Sequence, residues 1–76
     1  MTAKEMFKQY GLEYKENTCN GDLVQIIYKS NDKYSPIVVF SIDNQSYKVF
    51  FNVDMASNVD MYLHKCINKQ IEELEW

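Results

Sequence analysis

The sequence predicts an α+β fold, in which an antiparallel meander of four strands, with three as the alternative, carries an N-terminal and a C-terminal helix on one face. Three observations predict it. Apolar residues recur at helical spacing near both ends of the chain, alternation with a period of two occupies the middle, and turn signals such as Asn20-Gly21 separate the alternating segments. A chain of 76 residues is the size of a single domain, which we place over residues 1–76.

The first helix is predicted over residues 3–10. Thr2 and Glu5 form a capping box, in which the threonine hydroxyl accepts from the Glu5 amide and the carboxylate reaches back to the Thr2 amide. Gly11 supplies the left-handed residue at which such a helix ends, and Leu12 is its apolar companion. One apolar face follows from the spacing of Ala3, Met6, Phe7 and Tyr10.

The strands are predicted near 12–17, 22–29 and 37–42, with a fourth from 46 to 53. Asn20-Gly21 is the tight turn between the first two strands, and Pro36 can begin the third but would interrupt its centre. The fourth strand has the clearest alternation. Its inward side would carry Tyr47, Val49, Phe51 and Val53, and its outward side Ser46, Lys48, Phe50 and Asn52.

The last helix is predicted over residues 58–74, with Ser57 as its cap and Asp60 three residues on. Its apolar stripe has one polar interruption, Gln70. The stripe contains Val59, Leu63, Cys66, Ile67, Gln70, Ile71 and Leu74. Three glutamates, Glu72, Glu73 and Glu75, lie at the negative pole of this helix, where Lys69 is spaced to offset the first two.

Composition excludes several classes of function. The chain has eight lysines and no arginine, so it cannot form the bidentate hydrogen bonds to guanine or phosphate that a guanidinium makes. Its net charge of −3 also gives no basic surface for binding nucleic acid. Two glycines cannot form a phosphate-binding loop. No apolar stretch is long enough for a membrane span, so we expect a cytoplasmic protein. We also expect no cofactor. Two cysteines also fit a reducing compartment, although a Cys19–Cys66 disulfide stays open.

Catalytic and metal sites find little support in the sequence. His64 has Asp60 and Asn68 four residues to either side on one helical face, but this fragment lacks a nucleophile. His64 and Cys66 are two residues apart on a helix, so they cannot share a metal. We therefore expect Cys66 in the core, Cys19 exposed beside its turn, no metal, and no enzymatic activity.

The outward side of the sheet is the candidate interaction site. Period-two alternation that turns Val38, Phe40 and Ile42 inward sends Ile37, Val39 and Phe50 outward, together with Ile27. Large apolar groups on such a face are typical of an interface. Looser packing or a different register would remove the patch, and this alternative stays open.

Two segments, Thr2–Gly11 and Ile67–Trp76, lie at the two ends of the chain and cover both predicted helices. Together they resemble a family of small uncharacterised phage and prophage proteins of low-GC Gram-positive bacteria. The chain departs from the family pattern at Glu75, where a glycine would end the helix. The resemblance implies a phage setting in a host cytoplasm and assigns no site residues.

The sequence as a whole favours a non-enzymatic protein that binds a protein partner, either a second copy in a homodimer or a host protein. In the phage setting, host modulation or evasion of defence is the implied purpose. One alternative is a small enzyme or ligand binder that combines His64, Asp60 and Cys19 across a dimer. Another is a single-strand nucleic-acid binder, which would need Lys29, Lys33 and Lys48 to lie beside outward aromatic residues.

Overall fold

Two helices and four strands follow one another along the chain. The computed structural model describes residues 1–51 and 58–76. The elements are α1 (Ala3–Tyr10), β1 (Glu13–Cys19), β2 (Asp22–Lys29), β3 (Ile37–Ser41), β4 (Ser46–Phe50) and α2 (Met61–Glu73). The strands form one antiparallel sheet in the order β1-β2-β3-β4, so the predicted α+β fold with a four-stranded meander is confirmed.

Local sequence signals determine α1 and the first hairpin. Thr2 and Glu5 form the predicted capping box, with the Glu5 amide 3.1 Å from the threonine Oγ1. Gly11 adopts φ 111°, and the Leu12 amide donates to the Phe7 carbonyl at 2.9 Å. In the turn between β1 and β2 both central residues, Asn20 and Gly21, have positive φ, as a tight hairpin requires.

The strand boundaries differ slightly from the predicted ones. β1 begins at Glu13 and continues to Cys19, because its pairing with β2 persists up to the turn, and Leu12 is a buried core residue before the strand. β3 ends at Ser41 and β4 ends at Phe50. The predicted continuation of the fourth strand through Asn52 and Val53 lies outside the described residues.

Helix α2 begins three residues later than predicted. Asp60 has an extended backbone, and its Oδ1 accepts from the Leu63 amide at 2.8 Å, so the aspartate is the cap. The predicted start at residue 58 is therefore wrong, and Val59 is exposed ahead of the helix instead of belonging to its apolar stripe. The predicted cap Ser57 lies outside the described residues.

The core lies between both helices and one face of the sheet. The rings of Phe7 and Tyr28 stack with centroids 3.8 Å apart, and Phe40 meets both of them edge-on. Phe7, Leu63 and Ile67, from the predicted apolar faces of the two helices, are buried here. Of the residues predicted inward on the fourth strand, Val49 packs against this core and Phe51 is half-buried. The fully or nearly fully buried residues are Ala3, Phe7, Leu12, Ile26, Tyr28, Val38, Phe40, Leu63, Cys66 and Ile67.

Two contacts explain polar residues that look misplaced in the sequence. Gln70 interrupts the apolar stripe of α2 because its Oε1 accepts from the buried Tyr28 hydroxyl at 2.5 Å. Glu73 lies at the negative end of α2, but its Oε2 accepts from the Ala3 amide at 2.8 Å, at the positive end of α1. Lys69 pairs with Glu72 alone, at 3.7 Å.

The end of α2 has an unusual backbone. Glu75 adopts φ 60°, the left-handed conformation that favours glycine, and the Trp76 amide then donates to the Ile71 carbonyl at 3.2 Å. Trp76 lies over Phe40 with ring centroids 6.3 Å apart. Glu75 is thus the position at which the fold needs a left-handed residue.

Candidate functional site

The outer face of the sheet is the side that both helices leave open. Strand pairing arranges its side chains in rows across the strands. One row runs Lys15, Ile27, Val39 and Lys48 from β1 to β4. A neighbouring row pairs Glu13 with Lys29 and Ile37 with Phe50, and the row on the other side is polar, with Asn17, Gln25, Ser41 and Ser46.

The four residues that the sequence places outward are neighbours in these rows. We call them the outer patch: Ile27, Ile37, Val39 and Phe50. Ile27 pairs with Val39 and Ile37 pairs with Phe50, so three strands contribute to one group of side chains. Phe50 is 49% exposed, whereas the other three are half-buried. The apolar surface open to a partner is therefore centred on Phe50, on the edge strand β4.

Lysines surround the outer patch. Lys15 and Lys48 lie at the two ends of the row that contains Ile27 and Val39, and Lys29 ends β2 one step beyond Tyr28. Within residues 1–51 and 58–76 none of these three makes a salt bridge. Sequence reasoning missed Lys15 as a neighbour of the outer patch. Strand alternation indicates the arrangement, because Lys29 and Lys48 each lie two residues from an outward apolar residue on the same strand, and Lys15 pairs with Ile27.

The two edges of the sheet differ in how well they are protected. β1 carries Glu13, Lys15 and Glu16, and charges of this kind discourage pairing with another strand. β4 has a single charge, Lys48, and exposes an aromatic residue on each side, since Tyr47 is 45% and Phe50 49% exposed. β4 is therefore the edge that is more open to a partner.

The residues of the alternative enzymatic site have other partners. Asp60 caps α2 and its Oδ2 accepts from the Tyr10 hydroxyl at 2.9 Å, while His64 Nε2 lies 3.0 Å from Asn68 Nδ2. Burial, followed by this bond to Asp60, raises the pKa of Tyr10 to about 12. Asp60 thus stabilises the packing of α2 on α1 and does not orient the imidazole.

Both cysteines are free thiols in the expected places. Cys66 is fully buried, and burial raises the pKa of its thiol. Cys19 is exposed at the end of β1. A buried thiol with a raised pKa is a poor nucleophile, so Cys66 contributes packing.

A shallow cavity of about 210 Å³ lies where α1 meets β1, and Lys4, Lys8, Glu13 and Tyr14 line it. Lys4 Nζ lies 4.9 Å from the centroid of the Tyr14 ring. The Tyr14 hydroxyl donates to Glu16 Oε1 at 2.5 Å, and burial together with this bond raises the pKa of Tyr14 to about 12. The Tyr14 phenol is therefore neutral at neutral pH and already bonded to Glu16, so it supplies neither a base nor a nucleophile to the cavity.

The aromatic residues of the middle segment lie in different parts of the fold. Tyr28 is in the core, Tyr47 is on the helix side and Tyr34 is in the loop before β3. Phe50 is the aromatic residue among the outer-face positions of the four strands. Lys48 lies two residues from Phe50 on the same side of β4, Lys29 lies on β2 with β3 between it and Phe50, and Lys33 lies over Tyr34 at 5.1 Å.

Neither a metal site nor a membrane span is found in residues 1–51 and 58–76. In the described part of the chain, no three histidine, cysteine, aspartate or glutamate side chains gather into a possible metal site. Neither α1 nor α2 has the length and apolar character that a bilayer crossing demands. A comparison of the chain with family models, curated proteins and solved structures found no match.

Proposed function

We propose that this chain is a non-enzymatic protein-binding domain that contacts its partner through the outer patch. The observation that carries the proposal is the grouping of four apolar residues from three strands on the face that neither helix covers, with Phe50 about half exposed. An exposed apolar group of this kind on a small domain marks a contact surface.

The size of Phe50 makes its exposure costly. An aromatic side chain can bury about 150–250 Å², so burying the exposed half would remove about 75–125 Å² from water. At about 25 cal/mol per Å² this amounts to about 2–3 kcal/mol, enough for Phe50 to dominate a contact. The two charged edges of the patch, Lys15 and Lys48, would form its polar rim.

The resemblance of the chain ends to phage proteins supports a setting for this binding. In that setting the protein acts in a host cytoplasm, and a host protein or a second copy of the chain is the partner. Modulation of a host process or evasion of defence would be the purpose. No observation favours the alternative of an enzyme assembled across a dimer.

A matched pair of variants tests the proposal. Phe50→Asp places a charge in the outer patch, and Tyr47→Asp places the same charge on the same strand, at nearly equal exposure, on the opposite side of the sheet. Both variants are compared with the wild type by sedimentation and by affinity purification from a low-GC Gram-positive host, after circular dichroism has shown that they fold. We expect Phe50→Asp to lose self-association or a captured protein that Tyr47→Asp retains.

The opposite results are equally clear. If the wild type is monomeric and every protein it captures is also captured by Phe50→Asp, the outer patch is not the binding surface. Equal losses in both variants would indicate that the strand edge, and not the outer patch, makes the contact.

A further inference from the structure

We infer that the outer face binds a short acidic segment of another protein, whose apolar side chains pack on the outer patch while its carboxylates meet Lys15, Lys29 and Lys48. This inference rests on the proposed function and names the chemistry of the partner. It is argued from the charge of the face, from its size and from the types of its side chains.

The charge of the outer face is opposite to that of the whole chain. The chain has a net charge of −3, yet the outward positions of the four strands carry three lysines and two acidic residues, Glu13 and Asp22, of which Asp22 lies at the far end of β2 from Lys29. In one row across the sheet two apolar residues, Ile27 and Val39, lie between two lysines, Lys15 and Lys48. A partner with apolar side chains flanked by carboxylates complements this row.

A second copy of the chain fits this face less well. Stacking two copies about a two-fold axis would bring the lysines of one face towards the lysines of the other, and like charges brought together in an interface are unfavourable. The same objection holds for pairing of two β4 edges centred on Lys48, which would place the two copies of that lysine opposite each other.

The size of the face also favours a short segment. Four strands spaced about 4.8 Å apart, with five residues of about 3.3 Å each, give a face of about 19 by 16 Å, or about 300 Å² in projection. A stable complex of two globular proteins buries about 800 Å² on each partner. The face is therefore too small for a stable globular dimer but large enough for a peptide of several residues.

The side chains distinguish a peptide from the other common polyanion. Single-stranded nucleic acid is held by aromatic residues on which bases stack, within a basic groove. The outer patch has one aromatic residue and three aliphatic ones, and the chain has no arginine. Aliphatic residues next to lysines match a segment in which leucine, isoleucine or phenylalanine alternates with aspartate or glutamate.

The test is a selection of twelve-residue peptides from a random display library on the immobilised full chain. Peptides that also bind the Phe50→Asp variant are removed. We expect the remaining peptides to be enriched in Asp or Glu together with large apolar residues, and to have a net negative charge. The binding of synthetic copies is then measured by calorimetry, with oligo-dT as the nucleic-acid probe.

Charge reversals measure how much the lysines around the outer patch contribute to the affinity for the peptide. Lys29→Glu and Lys48→Glu are each expected to weaken binding of the selected peptide by about two- to fivefold, the range for exposed ion pairs, and added salt should weaken it in the wild type. Lys65→Glu makes the same charge change on an exposed residue of α2, and it should leave the affinity unchanged.

Each other outcome separates the inference from the proposed function. Selected peptides that depend on Phe50 but are neutral or basic would overturn the acidic partner and leave the protein-binding surface standing. Failure to enrich any peptide that distinguishes the wild type from Phe50→Asp would overturn the acidic segment, whereas the protein-binding surface is tested separately by the Phe50→Asp and Tyr47→Asp pair. Tighter binding of oligo-dT at the same face, or self-association through it, would also overturn the inference.

Discussion

Replacing Glu75 by glycine is expected to stabilise the domain, although the residue lies next to the end of the chain. Glu75 has φ 60°, and an L-residue other than glycine pays about 1–2 kcal/mol for this left-handed backbone. Glycine itself costs about 0.5–1 kcal/mol of stability, because it makes the unfolded chain more flexible. Removing a negative charge from the negative pole of α2 adds about 0.3–1 kcal/mol. The net gain is therefore about 1–2 kcal/mol.

Two further variants separate the backbone from the charge. Glu75→Gln removes the charge but keeps a side chain on the left-handed backbone. Its stability should therefore rise only by the electrostatic part, about 0.3–1 kcal/mol. Glu72→Gly makes the same substitution within α2, where glycine costs about 1 kcal/mol, so it should show no gain beyond a few tenths of a kcal/mol.

Urea unfolding followed by circular dichroism measures all three variants, with thermal melts as a second readout. In a domain of this size each kcal/mol moves the melting temperature by about 4–8 °C. If Glu75→Gly is no more stable than Glu75→Gln, the left-handed backbone carries no strain and the explanation of the helix end is wrong.

Three other variants test the core and the caps. Ile67→Ala should cost about 2–5 kcal/mol in urea unfolding because Ile67 is almost fully buried between α2 and the sheet, and an ordinary stability would show that the packed face is misassigned. Tyr28→Phe should cost about 1–3 kcal/mol, since it leaves the Gln70 carbonyl oxygen buried without its donor; no loss would mean that this bond is unimportant. Hydrogen bonds from Thr2 hold the pKa of Glu5 below its usual 4.5, so the stability it contributes is present above that pH and is lost as the pH falls through the lower folded value. Glu5→Gln should flatten this part of a pH titration of stability, and an unchanged acid limb would contradict the assignment.

Local signals were sufficient for α1 and for the first hairpin. The cap of α1 is formed by residues three apart, and Gly11 and Gly21 mark backbone conformations that other residues avoid. Interactions of this kind are encoded in a few neighbouring residues. The predicted bounds of α1 and of β2 consequently agree with the structure.

Features that depend on distant residues could not be read in this way. Glu73 meets the Ala3 amide across 70 positions of the chain, and Tyr28 meets Gln70 across 42. No local pattern pairs such residues, so the three glutamates at the end of α2 and just after it looked merely unfavourable. The start of α2 was misplaced partly for the same reason. Asp60 accepts from the nearby Leu63 amide as the cap, but it also accepts from the distant Tyr10 hydroxyl of the other helix.

The candidate site was partly predictable because a strand has a period of two. Alternation alone placed Ile27, Ile37, Val39 and Phe50 on one face, and strand pairing brings them together in adjacent rows. Their exposure was not predictable, since the space around each residue depends on its neighbours in other strands. Phe50 is far more open than the other three because it lies on the edge strand.

The most direct test of the central claim is photo-crosslinking in living cells. Benzoylphenylalanine replaces Phe50 in one version of the chain and Tyr47 in another, so that the same reactive group lies on opposite sides of β4. If the outer patch binds a protein, ultraviolet light should produce a discrete protein adduct from position 50 and none from position 47. Equal adducts from both positions, or none from position 50, would contradict the claim that this face is the binding surface.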